Sequence, residues 1–444
     1  MSLGKIIRVR FRKTAHFFKI YSTKPLLTKT KPFNFFHSII ANNEKIMKDD
    51  IKILKHINFI IPFIVLILLP FQSDAQENIS NKTERNSYAE NYDIAQVIKA
   101  ASEGSIVKIP SGVHRLKSTL TIEKNITLTS ENSDDSTEQT VIECFDENSI
   151  VLSSEDIRLK NLQIRFETTI DVLPQEDLIG IKIVKGNVFF DNCFLDGEKR
   201  IRTPALSGGR IGIHVSGKSS RLTMKETHIT RLDTGVMILD GSEGSFIDCL
   251  FQYNENAFSV VNKGKLECDR IIVDSNYNGG SIVNDSKCVV LNSCFTKNFD
   301  KSLMFSAAGD ASGGECFIKN SRFSRSDIGV FVKKVKTCLI EGCEFYNHYT
   351  FGIVAGATGF QIRNCKFLMN QYGISIANKS RLDMTQCVFD QGQYGIDVMD
   401  SNLSVSKNEF LDLGNAITVI DSVIIEKDNF FKNNINDFVK IIDD

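Results

Sequence analysis

Two side chains that can exchange protons, Lys182 and His214, occupy equivalent positions in short segments that each begin with Gly-Ile. Four basic side chains lie within or at the end of the intervening segment 196–210: Lys199, Arg200, Arg202 and Arg210. Guanidinium groups pair well with carboxylates, and an amine or imidazole can remove a proton from a carbon that a neutralised carboxylate makes acidic. We therefore predict a site for an acidic polysaccharide. Lys182 or His214 would act as the base, and the four basic residues would bind the substrate.

A plainer interpretation of the same residues is a solvated basic loop beside two ordinary surface side chains. The choice depends on which side chains face outward, and therefore on the secondary structure. If Ile213 and Val215 point inward from an extended strand, His214 points outward. Applied to every repeat, this rule predicts one outward row: Lys182, His214, Met237, Ser259, Ile282, Met304, Phe331, Val354, Ser375, Asp397 and Thr418.

The secondary structure is predicted by a 22-residue repeat whose clearest copies begin at Cys338, Phe360 and Leu382. Apolar residues fall at every second position within each copy, which is the period of a strand and not of a helix. The phase slips by one at Asn364, and asparagine tolerates the left-handed backbone that a tight bend needs. Three short strands per repeat, bending the same way, predict one rung of a parallel β-helix.

About a dozen such rungs would stack into one all-β domain over residues 92–444. Phenylalanine recurs at the rung spacing and predicts an internal stack that includes Phe251, Phe295, Phe323, Phe345, Phe367, Phe389, Phe410 and Phe430. Three departures from the period, at 167–178, 196–210 and 306–315, predict loops outside the coil. Before the first rung, helical spacing from Asp93 to Gly104 predicts a short capping helix, with Asp93 and Gln96 resembling a capping box.

Four apolar members of the outward row are consecutive: Ile282, Met304, Phe331 and Val354. Consecutive apolar side chains on an exterior face indicate that something covers them. The loop 306–315 would satisfy this requirement without any partner. A partner protein, a second copy of the chain or an apolar ligand are the alternatives, and we predict a partner surface here.

The N-terminal region predicts export. Residues 1–46 contain ten basic residues and one acid, and we interpret them as a leader that lies upstream of the true start or extends a targeting signal. Residues 47–75 resemble a secretory signal peptide, with an apolar run over 57–71 and a cleavage site at Ser73-Asp74-Ala75. An uncleaved membrane anchor at 57–71 is the alternative. Residues 76–91 are polar and read as a linker.

Several partners and cofactors are not expected. The formal net charge of −1 gives no general attraction to nucleic acid. Residues 212–219 match the phosphate-loop pattern, but that loop must open a helix, whereas Ile213 and Val215 belong to one predicted strand and Leu222-Thr-Met224, after the pattern, forms another. We therefore predict no nucleotide binding. The eleven cysteines include no Cys-x-x-Cys pair. Cys338 and Cys343 are five residues apart but occupy ladder positions that other rungs fill with non-ligating side chains, which favours a buried stack over a zinc site.

The segments Ala101–His114 and Leu120–Ser130 resemble the start of pectate-lyase-like right-handed β-helix proteins, among them the alginate lyase, chondroitinase B-like and NosD-like groups. The later rungs resemble the general right-handed β-helix repeat, so the resemblance covers about residues 92–435. It implies a right-handed coil and a substrate cleft on the Gly-Ile strand face, and calcium only by analogy, with no metal ligands assigned. Arg202-Thr-Pro204 is only a fragment of the Arg-x-Pro-x-x-Arg motif of pectate lyases.

Two functions from different classes follow. The first is an exported β-helix that binds, and as a lyase cleaves, an acidic polysaccharide by β-elimination. The alternative is a non-catalytic surface or structural protein whose long rigid face engages another macromolecule. New unsaturated ends on an acidic glycan would distinguish the first from the second.

Overall fold

The computed structural model describes residues 92–132, 139–145, 149–167, 177–197, 209–308 and 313–441. These residues form one parallel β-helix, as predicted. Each strand pairs in parallel with the equivalent strands one rung before and one rung after it, so that Phe367 lies between Phe345 and Phe389. The stacked strands form three long faces, which we call sheets 1, 2 and 3.

Sheet 1 contains the Gly-Ile segments. Its strands are Leu120–Ile122, the first parts of Ile150–Lys160 and Leu178–Asp191, then Arg210–Val215, Thr234–Leu239, Asn256–Val261, Asn278–Val283, Lys301–Ser306, Ile328–Lys333, Phe351–Gly356, Tyr372–Ala377, Tyr394–Met399, Asn415–Ile420 and Asn436–Ile441. Alternate side chains along these strands are buried, as in Asn278–Val283 and Phe351–Gly356.

Sheet 2 follows sheet 1 in each rung. Its strands are Ile106–Ile109, Thr127–Ser130, the second parts of Ile150–Lys160 and Leu178–Asp191, then Ser220–Lys225, Glu243–Ile247, Lys265–Asp269, Lys287–Leu291, Gly313–Lys319, Val335–Glu341, Gly359–Arg363, Arg381–Thr385, Asn402–Ser406 and Val423–Lys427. The two long strands run through both faces, which makes sheets 1 and 2 continuous as 26 strands.

Sheet 3 completes each rung. Its 14 strands are Gly112–Arg115, Thr140–Phe145, Gln163–Glu167, Phe194–Gly197, His228–Thr230, Leu250–Gln252, Ile272–Asp274, Cys294–Thr296, Arg322–Ser324, Glu344–Tyr346, Lys366–Leu368, Val388–Asp390, Glu409–Leu411 and Phe430–Lys432. Fourteen rungs are slightly more than the dozen predicted. The bend from sheet 2 to sheet 3 uses a left-handed residue, and Asn364 has the expected positive φ of 53°.

The predicted phenylalanine stack fills the interior. From Phe295 to Phe410, neighbouring rings are nearly parallel, and the Phe345 and Phe367 centroids lie 4.9 Å apart. The assignment of the last member was wrong: Phe431 continues the stack, while Phe430 is exposed. Two adjacent phenylalanines cannot both point inward from one strand, so the sequence left their order ambiguous.

The bend from sheet 3 back to sheet 1 contains buried amides. Asn254, Asn276 and Asn298 occupy the same position in three consecutive rungs. The side-chain oxygen of Asn276 accepts hydrogen bonds from the backbone and side-chain N–H groups of Asn254, and that of Asn298 accepts the same two bonds from Asn276. Their side-chain N–H groups also donate to backbone carbonyls, as Asn276 does to Phe251 at 3.0 Å. These bonds satisfy backbone groups that the bend would otherwise leave unpaired inside the protein. His348 and Asn370 continue the same position in later rungs.

A short helix covers the first rung. It spans Ile94–Ala100, with Asp93 accepting a hydrogen bond from the Gln96 backbone N–H at 3.1 Å. Ile94 and Ile98 are buried against the first rungs, so the predicted cap is confirmed. The helix ends earlier than expected, because the backbone is already extended at Ala101 and Gly104 lies beyond its end.

Several sequence predictions fall partly or wholly outside the described residues. The leader, the signal peptide and the linker lie wholly outside them. Of the three predicted loops, the segments 168–176, 198–208 and 309–312 also lie outside the described residues. Within the part of the chain that the structure describes, no helix combines the length and apolar character needed to cross a bilayer.

All eleven cysteines are described, and none forms a disulfide. Ten are buried and Cys294 is partly exposed, which fits the predicted inert stack. Burial raises the pKa of the Cys193 thiol to about 12, so it stays protonated at neutral pH.

Candidate functional site

The Lys182 and His214 side chains lie side by side. Their residues are directly paired between adjacent strands of sheet 1, and Met237 follows in the next rung. Ile213 and Val215 are fully buried, so His214 points away from the core as expected. Lys182 is exposed and His214 is partly buried.

The surroundings of His214 favour a neutral imidazole. Burial lowers its pKa, the neighbouring Lys182 ammonium lowers it further, and Asp240 and Asp177 oppose both effects. Its Nδ1 atom is buried and has no hydrogen-bond partner among the described residues. A neutral imidazole can accept a proton, which is the property required of a general base; because Nδ1 is buried, the nitrogen available for this role is Nε2.

Arg210 does not belong to this site, and the prediction that it binds substrate was wrong. Only 4% of the residue is exposed. Its guanidinium donates to the carbonyl oxygens of Phe166, at 2.6 Å, and Glu167, at 3.0 Å. Its backbone N–H donates to Asp233 at 2.5 Å. Arg210 therefore holds neighbouring rungs together. The other predicted substrate-binding residues, Lys199, Arg200 and Arg202, lie outside the described residues.

The outward row of sheet 1, which we call the outer row, is continuous. Strand register places these residues one above another: Lys182, His214, Met237, Ser259, Ser281, Met304, Phe331, Val354, Ser375, Asp397 and Thr418. Ten of the eleven predicted members are confirmed. Ser281 replaces Ile282, whose side chain is 2% exposed and faces the core. The predicted partner surface is therefore reduced to Met304, Phe331 and Val354, all partly exposed.

The misplacement of Ile282 has a local cause. Gly279 and Gly280 are adjacent, and the sequence alone did not identify which one matches the glycine of the other Gly-Ile segments. The register pairs Gly280 with Phe258 and Leu303, so Gly279 takes that position. A shift of one residue exchanges the inward and outward faces of a strand.

The far end of the outer row contains a carboxyl group without a cation. Burial raises the pKa of Asp397 to about 6, and a hydrogen bond with Ser375 partly offsets this effect. No salt bridge to Asp397 occurs among the described residues. In the next rung Thr418 is 6% exposed, and its Oγ1 is buried without a hydrogen-bond partner in the described structure.

Aromatic side chains border this end of the row. Tyr372 and Tyr394 begin consecutive strands of sheet 1, and their rings stack with centroids 4.4 Å apart and planes 7° apart. Phe351 packs against Tyr372 at 4.9 Å. Burial, the Asp397 charge and a hydrogen bond with Tyr394 contribute to raising the pKa of Tyr372 to about 12, with burial the largest cause. Sequence reasoning placed Asp397 in the row but did not identify this cluster.

Two further sequence inferences concern bound groups. The phosphate-loop pattern begins in the strand Arg210–Val215, its residues 216–219 form the turn that follows, and the chain then enters the strand Ser220–Lys225, so the turn opens a strand and not a helix. In the described ranges, no three or more histidine, cysteine, aspartate or glutamate side chains are grouped so that they could hold a metal ion.

Comparison with known proteins supports the architecture. A search of curated protein sequences found no match. Among solved structures, the chain resembles the catalytic unit of a GH87 α-1,3-glucanase from Streptomyces thermodiastaticus, with a TM-score of 0.53 and 11% identity over 69% of this chain and 64% of the glucanase. It also resembles the A-module of the mannuronan C-5 epimerase AlgE6 from Azotobacter vinelandii, with a TM-score of 0.45 and 12% identity over 78% and 93% of the two chains.

A third similar structure is tailspike protein 3 of bacteriophage CBA120, with a TM-score of 0.45 and 11% identity over 78% of this chain and 59% of the tailspike. At such identities, structural likeness speaks to the fold alone. The family described as "Right handed beta helix region" matches residues 158–312 and 305–442. These matches cover more than half of the chain and establish the hand of the coil. The chain belongs to the right-handed β-helix family.

Proposed function

We propose that this protein is exported, binds an acidic polysaccharide along the outer row of sheet 1, and cleaves it by β-elimination at Lys182 and His214. The observation that carries the proposal is the pairing of these two side chains on a continuous rigid face, with His214 held neutral. The glucanase with a similar fold is named for acting on a polysaccharide, which supports the substrate class in general terms.

The chemistry assigns one role to each side chain. His214 takes a proton from the carbon next to the uronate carboxylate. The remaining electron pair forms a carbon–carbon double bond, and the glycosidic carbon–oxygen bond at the adjacent carbon breaks. The departing oxygen takes a proton from the Lys182 ammonium, and solvent exchange returns both side chains to their starting states. The basic residues Lys199, Arg200 and Arg202 would neutralise the carboxylate.

The test is an assay for new unsaturated ends after incubation with alginate, chondroitin or pectin. We expect activity with at least one polymer, and a loss of at least about 100-fold in His214→Ala and Lys182→Ala, the usual contribution of general acid–base catalysis. Ser259→Ala, two rungs beyond His214 in the same row, is the matched control and should stay active. Wild-type protein that binds one of these polymers without cleaving it would contradict the lyase mechanism.

A second candidate function rests on Met304, Phe331 and Val354. These three apolar side chains are in register and partly exposed on the outer row. A non-catalytic β-helix that engages another macromolecule would use such a surface. Phe331→Ser with Val354→Ser should then abolish binding to that macromolecule while leaving any lyase activity intact. Loss of lyase activity in this double variant would instead connect the surface with the polysaccharide.

A further inference from the structure

Exposed apolar side chains are concentrated on the last described coil, residues 423–441, which contains the final strand of each sheet. In the described structure eleven large hydrophobic residues are exposed, and five of them belong to this coil: Val423, Ile425, Phe430, Ile435 and Phe438. At the opposite end of the β-helix, the helix Ile94–Ala100 packs its apolar side chains against the first rungs. An exposed apolar surface of this kind indicates a binding partner.

The apolar interior is open at the last coil. Phe438 takes the position that Ile417 takes one rung earlier, and Ile417 is fully buried whereas 45% of Phe438 is exposed. An open cavity of about 430 Å³ lies at the last strands of sheets 1 and 2, and Val419, Ile424 and Phe438 are among the residues that line it. The core therefore reaches solvent here, and covering it would contribute favourable free energy.

The backbone edge of the last coil is also free. Each of its three strands pairs with the strand one rung earlier, and the described structure contains no strand on their other side. A free edge exposes unpaired N–H and carbonyl groups, and an edge with apolar side chains is a template for pairing with another strand. The partner that fits this end therefore supplies both a strand edge and an apolar surface. The same end of a second copy supplies both.

Two inward positions of the last coil hold opposite charges. Lys440 takes the position of Val419, and Glu426 takes that of Val405. Both charged side chains are exposed, and neither forms a salt bridge among the described residues. A purely apolar partner would bury both charges without compensation, which is unfavourable. The partner surface should therefore carry one negative and one positive charge to match them.

A two-fold axis satisfies these requirements together. If the axis lies in the plane of the open end and runs between sheets 1 and 2, Lys440 of each copy lies opposite Glu426 of the other. The same rotation makes the facing strands antiparallel, and antiparallel edges can form a regular hydrogen-bond ladder. In such an isologous interface every contact occurs twice.

We infer that the protein forms an end-to-end dimer, in which the last coils of two copies cover each other and Lys440 of one copy pairs with Glu426 of the other. The dimer covers the open core and pairs the free edges of both copies. It concerns assembly and does not depend on the proposed polysaccharide function.

The test exchanges the two charges. Sedimentation velocity of the full chain at about 1 to 100 μM should show a dimer for the wild type. Lys440→Glu and Glu426→Lys each place like charges opposite each other twice, and each should raise the dimer dissociation constant at least about tenfold. The double variant, Lys440→Glu with Glu426→Lys, restores opposite charges and should dimerise like the wild type. Lys117→Glu, at an exposed lysine near the first rungs, is the matched control and should leave the dimer unchanged.

Thermal unfolding checks that the single variants fold, and we expect melting temperatures close to that of the Lys117→Glu control because the substituted side chains are exposed. A wild-type protein that is monomeric at about 100 μM would overturn the inference. A dimer that neither single variant weakens would also overturn it, and so would a folded double variant that stays monomeric. None of these results bears on the polysaccharide proposal, which is tested separately with Lys182 and His214.

Discussion

Replacing His348 with asparagine tests whether the burial of this imidazole makes the stability of the protein depend on pH. His348 occupies the position that Asn276, Asn298 and Asn370 occupy in other rungs, and it is 2% exposed. Its backbone N–H donates to the Asn370 side chain at 2.9 Å, and its Nδ1 lies 3.3 Å from the Ser326 carbonyl oxygen. Its Nε2 is buried without a partner in the described structure. The ring therefore has a carbonyl oxygen beside one nitrogen only, and burial, which disfavours the charged form, outweighs that contact.

Burial lowers the pKa of His348 from 6.5 to about 4. Between these two values the unfolded chain binds a proton that the folded chain does not, so stability falls as the pH decreases through this range. A difference of about 2.5 pKa units corresponds to about 3 kcal/mol. The full contribution of the neutral ring is present above pH 6.5 and is lost by about pH 4.

Asparagine at this position removes the titrating group and restores the ladder. Its amide can donate to the Phe323 carbonyl, as Asn370 donates to the Phe345 carbonyl at 2.9 Å. Urea unfolding at pH 7.5, 6 and 5 should show His348→Asn losing less stability than wild type on acidification, by about 2 kcal/mol at pH 5. His228→Asn, at a partly exposed ring, is the matched control and should change the pH dependence less. Equal pH dependence of wild type and His348→Asn would refute the reasoning.

Three other predictions follow from burial. The fold disfavours the ionised carboxyl of Asp397, so Asp397→Asn should raise the free energy of unfolding above pH 6 by up to about 3 kcal/mol and give no gain below pH 4. Urea unfolding at pH 8 and pH 4 measures this difference. In the folded protein a thiol reagent should modify at most Cys294, whereas all eleven cysteines should react in guanidinium. Phe367→Ala should cost about 3–5 kcal/mol in urea unfolding, and Phe299→Ala, at a ring that is 71% exposed, less than about 1 kcal/mol.

Much of the fold could be predicted because it depends on local rules. The alternation of apolar residues set the direction of Phe345 and Phe367, and the preference of asparagine for left-handed backbone located the bend at Asn364. These rules failed where two neighbouring residues satisfied them equally. Ile282 and Phe430 were both misassigned by one position, next to a pair of glycines and within a pair of phenylalanines respectively.

The site was less predictable because its chemistry depends on surroundings. The alternation rule placed His214 and Asp397 on the outer face but gave no information on how far either is removed from water. Arg210 looked like a substrate ligand because it belongs to a basic cluster, whereas its guanidinium is enclosed by carbonyl groups 43 and 44 residues earlier in the chain. Contacts between rungs decide such properties, and a single repeat does not contain them.

Hydroxyl-radical footprinting with bound polysaccharide tests most directly whether sheet 1 is the binding face. Met304 and Tyr394 lie on that face, 5 and 9 rungs along the register from Lys182, and Tyr346 lies on sheet 3. We predict that a polysaccharide bound by the wild-type protein lowers the oxidation of Met304 and Tyr394 and leaves that of Tyr346 unchanged. Protection of Tyr346 with no change at Met304 and Tyr394 would contradict the account.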